Sequence, residues 1–125
     1  QHRFLIYSYH PSPYELRFSK GTTSHRVTIT PSLEANDATI LRAAALDGQG
    51  ILAQSVYSIY DDVMAGRLVP LLDDWDLPRL TINLAYPTRK HLPAKTRVFV
   101  DFLTQHFADM GYDSRWANER WPAMP

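Results

Sequence analysis

The chain contains no cysteine. Disulfides, thiolate metal sites and a thiol nucleophile are therefore excluded, and the composition fits a reducing compartment. Net charge is absent as well, because 13 basic residues balance 13 acidic ones. The longest basic run is Arg89–Lys90. A free-standing nucleic-acid binder usually carries a basic face, so this stretch alone is not expected to bind DNA. No apolar run nears the roughly 20 residues that span a bilayer, and no membrane partner is expected. The opening "QHRFLIYSYHPSP" is no secretory signal: its apolar part is short and breaks at Pro11. It also starts without Met and enters strand-like sequence almost at once, which suggests a piece of a longer protein.

What is present is ordinary globular sequence. Hydrophobic residues make up 45% and charged ones 21% of 125 residues, enough for one domain of modest size. Two glycines stand one residue apart in "AALDGQGILAQ", Ala44 to Gln54. A phosphate-binding glycine loop follows a strand and opens a helix, so that free N–H groups face the anion. Here the order is reversed. "NDATILRAAALD" precedes Gly48 and is rich in the helix formers Ala and Leu. Asn36 or Asp37 can cap its start, Gly48 stands where a left-handed residue ends a helix, and "ILA" after Gly50 reads as a short buried strand. The glycines close a helix and turn the chain into a strand.

Along the rest of the chain, "RFLIYSY" (Arg3–Tyr9) reads as a strand, broken by "HPSP". Tyr14–Phe18 and Arg26–Pro31 read as two more, with "SKGTTS" as the turn. A helix runs from about Asp37 to Asp47. After "ILAQ", Val56, Ile59, Tyr60, Val63 and Met64 recur at helical spacing, and Gly66 can end that helix. Leu80, Ile82, Leu84 and Tyr86 alternate with polar or small residues, which predicts a strand stopped at Pro87. A last helix begins near Pro93, with an apolar stripe of Phe99, Phe102, Leu103 and Phe107, and Gly111 follows it. Three leading strands and then alternating helices and strands predict an α/β or α+β sheet with helices packed on it.

No constellation of catalytic groups emerges, and no enzyme is expected. His2, His10, His25, His91 and His106 lack the spacing of a metal site, so no metal or cofactor is expected. Asp61–Asp62 and "DDWD" (Asp73, Asp74, Asp76) read as solvated turns rather than as two carboxylates in contrasting environments. Ser55 lacks the Gly-x-Ser-x-Gly elbow. Arg17 and Phe18 beside Tyr14 could stack on bases, but a plain strand face suits zero net charge better.

An ordered set of motifs carries more information. Asn36–Asp37 precede an Ala-rich helix; Gly48–Ile51 form a Gly-x-Gly-Ile turn; Gly66–Val69 read Gly-Arg-Leu-Val, followed by Leu71–Leu72. Then come Tyr86–Pro87, Arg89, His91–Leu92, and Arg97–Leu103 as Arg-x-Phe-x-Asp-Phe-Leu. In this order and spacing, over roughly Gln1 to Ala108, the chain resembles the C-terminal part of the effector-binding domain of LysR-type transcriptional regulators. "HRFLIYS" and "YELRF" fit the section just before. Ser55 departs from the Pro that often follows the family's Gly-Ile strand. The winged helix-turn-helix and the first half of the effector domain have no counterpart here.

The resemblance implies a periplasmic-binding-protein-like fold of type II, α/β, with ligand between two subdomains. Residues 1–84 would form most of the second subdomain, residues 85–108 the return to the first, and 109–125 a tail. It implies a cytoplasmic protein, dimeric or tetrameric at full length, that meets DNA only through the absent domain. Its effector would be a small, often anionic metabolite. The loop from Thr30 to Asp37 lies between a strand end and a helix start, where N–H groups and the helix dipole favour an anion. Ser32, Leu33 and Asn36, and more weakly Gln54, are the expected effector contacts. The helix with Leu41, Ala44 and Ala45 would pack on a partner subunit, its small residues allowing close approach. Ala85, Tyr86 and Pro87 would form a hinge. A solute-binding protein of a transporter is the alternative with the same fold class.

Overall fold

The computed structural model describes residues 2–86, 93–112, 116 and 121. Pro87, Arg89, His91 and Leu92 lie outside the described residues, as does most of the C-terminal tail. The chain forms two compact units, Gln1–Arg79 with Arg120–Pro125, and Leu80–Glu119.

In the first unit the elements run β1 (Phe4–Tyr7), β2 (Glu15–Lys20), β3 (Thr23–Thr28), β4 (Leu33–Ala35), α1 (Ala38–Leu46), β5 (Ile51–Leu52) and α2 (Val56–Met64). Three strands make a parallel sheet in the order β4-β1-β5. Successive side chains of a strand point to opposite faces. Leu5 and Ile6 of the central β1 are both buried, so the sheet is covered on both sides, as parallel sheets usually are. Ile29, Leu41 and Val63 are the other enclosed apolar residues among the described ones. Leu41 was expected on a subunit interface. It is 0% exposed, so it is core, because the face of α1 that meets the sheet is the one carrying Leu.

Local chemistry explains the elements. Asp37 has extended backbone, and its carboxylate accepts the Thr39 N–H at 2.7 Å, which fixes the start of α1. At the other end Gly48 adopts φ +73°, a conformation that costs a side chain-bearing residue free energy. Its N–H donates to the Ala45 carbonyl and that of Gln49 to Ala44, each at 3.0 Å, closing the helix. Gly50 has a different reason. A Cβ there would stand 2.7 Å from the Arg3 carbonyl oxygen, so only glycine lets β5 approach β1. The first glycine ends the helix and the second admits the strand.

Two segments depart from the expected elements. The stretch from Thr30 to Asp37 is not a single loop, since β4 occupies its middle and pairs in parallel with β1. A three-residue strand is too short to show alternation, and the Pro and Asn-Asp around it read as loop. Leu80–Tyr86 forms no ladder. A strand exists only with a hydrogen-bonded neighbour, and none lies beside it among the described residues. Its apolar side chains are exposed, Leu80 by 76%.

The antiparallel hairpin β2–β3 is longer at its tip than expected, pairing through Lys20↔Thr23 around a tight turn at Gly21–Thr22. Ser19 and Asp76 exchange two backbone bonds of 2.8 and 2.7 Å, tying β2 to a later turn. In the second unit, α3 (Ala94–Asp109) buries no residue. Phe107, Tyr112 and Trp116 cluster past its middle, with the Tyr112 and Trp116 rings stacked at 4.3 Å.

Candidate functional site

Parallel pairing brings the carboxyl ends of β1, β4 and β5 to one edge. In the register, Tyr7 lies beside Ala35 and Leu5 beside Leu52. Continuing β5 by two residues sets Gln54 level with Tyr7. Asn36 and Ser8 come one step further on, with the Ser8 N–H bonded to the Ala35 carbonyl at 3.0 Å. Two helices begin at this edge, α1 after β4 and α2 after β5. A crevice outside the carboxyl ends of strands is where open α/β sheets place ligands.

The four expected effector contacts do not come together. Asn36 and Gln54 stand at the carboxyl edge. Ser32 and Leu33 stand at the opposite edge, because β4 runs between them and Asn36. Four residue steps, across the three residues of β4, take the chain from Ser32 to Asn36, about 13 Å at the usual rise. Ser32 is instead tied to the start of β1, its N–H and its hydroxyl both donating to the Phe4 carbonyl at 2.9 and 3.1 Å.

Two aromatic residues at the carboxyl edge were missed. The Tyr7 and Tyr9 rings meet edge to face at 6.0 Å, and the Asn36 amide reaches the Tyr9 hydroxyl at 3.5 Å, the long limit of a hydrogen bond. Nearby, the Tyr14 hydroxyl donates to the Glu34 carboxylate at 3.0 Å. That bond and the carboxylate's charge raise the Tyr14 pKa above its ordinary value. The two helix starts differ. Asp37 caps α1 with a carboxylate, whereas Ser55 makes no side-chain cap bond at α2. An uncapped helix start attracts negative charge through its N–H groups and dipole.

A buried ion cluster lies behind this edge. Asp62 was read as part of a solvated turn, yet it is only 1% exposed. Arg42 of α1 grips its carboxylate through Nε and Nη2, the latter at 2.8 Å. Arg67, in the turn after α2, adds bonds of 2.9 and 2.6 Å to the same Oδ1. The Arg42 hydrogen bond is the main cause holding the Asp62 pKa below its ordinary value; burial pushes the other way, and Arg67 assists Arg42. The helical period explains the misreading. Asp61 and Asp62 are adjacent in sequence but about 100° apart around α2, so one is solvated and the other faces α1. The cluster links α1 to α2, the two helices that start at the carboxyl edge.

Among the described residues no group of three His, Asp or Glu side chains is placed to hold a metal ion. No described helix is long and apolar enough to cross a membrane.

A parallel sheet with helices starting at its carboxyl edge defines an open α/β architecture. Comparison makes the assignment specific: residues 1–108 match the LysR substrate binding domain, and the chain belongs to that family. It is 33% identical over 96 residues to the HTH-type transcriptional regulator DmlR of Escherichia coli K12, covering 77% of this chain and 30% of that protein. It is 32% identical over 82 residues to the HTH-type transcriptional regulator CrgA of Neisseria meningitidis, covering 65% and 27%. The regulatory domain of the C227S variant of AphB from Vibrio vulnificus has the same fold, with a TM-score of 0.64 at 24% identity over 83% of this chain and 52% of that one. The chain thus spans about a third of the length of these full-length relatives. The transporter alternative draws no support from them.

Proposed function

We propose that the chain is the ligand-sensing part of a cytoplasmic, LysR-type DNA-binding transcriptional regulator, and that it is not an enzyme. The observation that carries this reading is the family match over residues 1–108. The effector is a small metabolite, favoured if anionic, held at the carboxyl edge by Asn36, Gln54 and the uncapped start of α2. Such a ligand acts by binding one of two arrangements of the regulator better than the other. Operator binding resides in a part of the regulator outside this chain. Ala44 and Ala45 are half-exposed on α1 and form part of the surface that meets a partner subunit in a homodimer or homotetramer. Ala85–Pro87 serve as a hinge to the other subdomain.

The test is effector-dependent transcription by the full-length regulator, measured together with operator affinity. Asn36→Trp fills the crevice, so it abolishes the response while operator affinity stays at the parent value. Ser32→Trp, at the opposite edge, leaves the response intact. If Ser32→Trp blocks the response and Asn36→Trp does not, the effector does not sit at the carboxyl edge.

A further inference from the structure

A second concave surface lies at the amino edge of the parallel sheet, away from the crevice. Its volume is about 400 Å³, and Arg3, Leu5, Ser32, Leu33 and Gln49 line it. That volume falls within the range of small-molecule sites.

The lining is ordered by the backbone. Leu33, 37% exposed, is the register partner of the enclosed Leu5 across β1 and β4 and gives the depression its accessible apolar surface. Ser32 donates its hydroxyl proton to the Phe4 carbonyl, which leaves the oxygen's lone pairs as acceptors. Gln49 sits between the two glycines whose conformations are fixed, Gly48 by the helix end and Gly50 by its approach to Arg3. Its amide nitrogen donates one proton to Asp47 at 2.8 Å, which leaves its carbonyl oxygen and a second N–H for a ligand. Arg3 is the only cation of the lining, and among the described residues no acidic side chain pairs with it.

We propose that this depression is a binding site for a small carboxylate with a short apolar body. The Arg3 guanidinium presents the planar fork that matches a carboxylate in two parallel hydrogen bonds. The body of the ligand covers Leu33, and a hydroxyl or amine on it meets the Gln49 and Ser32 oxygens. A single guanidinium with no second cation beside it suits a monoanion better than a phosphate dianion. The "GQG" turn therefore has a binding role, through the side chain between its glycines rather than through a phosphate cradle. The site is independent of the carboxyl-edge crevice and stands or falls separately from the function proposed above.

The experiment is a titration of the full-length regulator with hexanoate, followed by backbone amide NMR. Hexanamide serves as the uncharged probe of the same shape. Hexanoate is expected to give saturable shifts at the amides of Ser32, Leu33 and Gln49. Hexanamide, and hexanoate with the Arg3→Gln variant, should bind at least about tenfold more weakly, the loss of one charge-assisted pair. Arg3 is exposed, so the variant keeps its fold, which the remaining amide positions verify in the same spectrum. The proposal is overturned by the absence of saturable shifts, by equal affinity for hexanamide, by Arg3→Gln binding like the parent, or by shifts centred on Asn36 and Gln54.

Discussion

The two compact units both expose large apolar side chains, but among the described residues only the first encloses any. In Gln1–Arg79, the unit also takes in Arg120–Pro125, and Leu5, Ile6, Ile29, Leu41 and Val63 are enclosed. In Leu80–Glu119, Leu80, Ile82, Leu84, Val98, Phe99 and Phe102 are all exposed. The first unit has a strand with a neighbour on each side and helices to cover it. Among the described residues the second has a helix and an extended segment with no ladder. Burial, not composition, makes a core, because the stabilising free energy comes from apolar surface removed from water.

Substitutions can break this contrast, and the largest effect is expected at its centre. Leu41→Ala should cost about 2–5 kcal/mol, the range for emptying a fully enclosed leucine site; urea unfolding of the chain measures it. A loss under 1 kcal/mol would mean that α1 is not seated on the sheet.

Asp62→Asn should have the next largest effect at neutral pH, since it leaves two guanidiniums sharing a neutral amide in a buried place. The pH dependence sharpens the test. The folded Asp62 pKa is depressed, so its contribution is fully present above the unfolded carboxylate value of about 3.9 and is lost as pH falls from there through the lower folded value. The parent should lose stability over that acid window, and the variant should lose less. Parallel curves for the two proteins would remove the ion cluster from the account of how α1 and α2 are held.

Asp37→Ala should cost about 1 kcal/mol, the usual effect of losing a helix cap, seen as a lower unfolding midpoint at unchanged slope. Phe102→Ser, on exposed α3, should change the stability of the 125-residue chain by no more than about 0.5 kcal/mol. A loss as large as that of Leu41→Ala would show that the second unit has a core after all.

Much of the first unit was legible in the sequence, for identifiable reasons. Caps and glycines act locally, so Asp37, Gly48 and Gly66 mark helix ends from their neighbours alone; Gly66 has φ +69°. The motif order from Asn36 to Leu103 placed the chain in its family. Non-local facts were hidden. β4 exists because β1 lies beside it, and Leu80–Tyr86 alternates like a strand without a partner to make it one. Asp62 is adjacent to a solvated Asp61, and only the neighbouring Arg42 and Arg67 show that it is buried. The placement of the expected effector contacts in the sheet was half legible for the same reason. Asn36 and Gln54 follow strand ends, which a sequence can suggest. Ser32 and Leu33 were grouped with them because a hidden strand was read as loop, and that strand carries them to the far edge of the sheet.

The central claim is that a metabolite is sensed at the carboxyl edge of the β4-β1-β5 sheet. The most direct measurement is a thermal-shift screen of metabolites on the full-length regulator, followed by amide hydrogen exchange with each stabilising compound. At about 100 times its dissociation constant, a ligand should add roughly 2.7 kcal/mol of stability. The account predicts that the effector slows exchange at Asn36–Thr39 and at Gln54–Ser58, the starts of α1 and α2. Protection confined to residues away from both helix starts would contradict it.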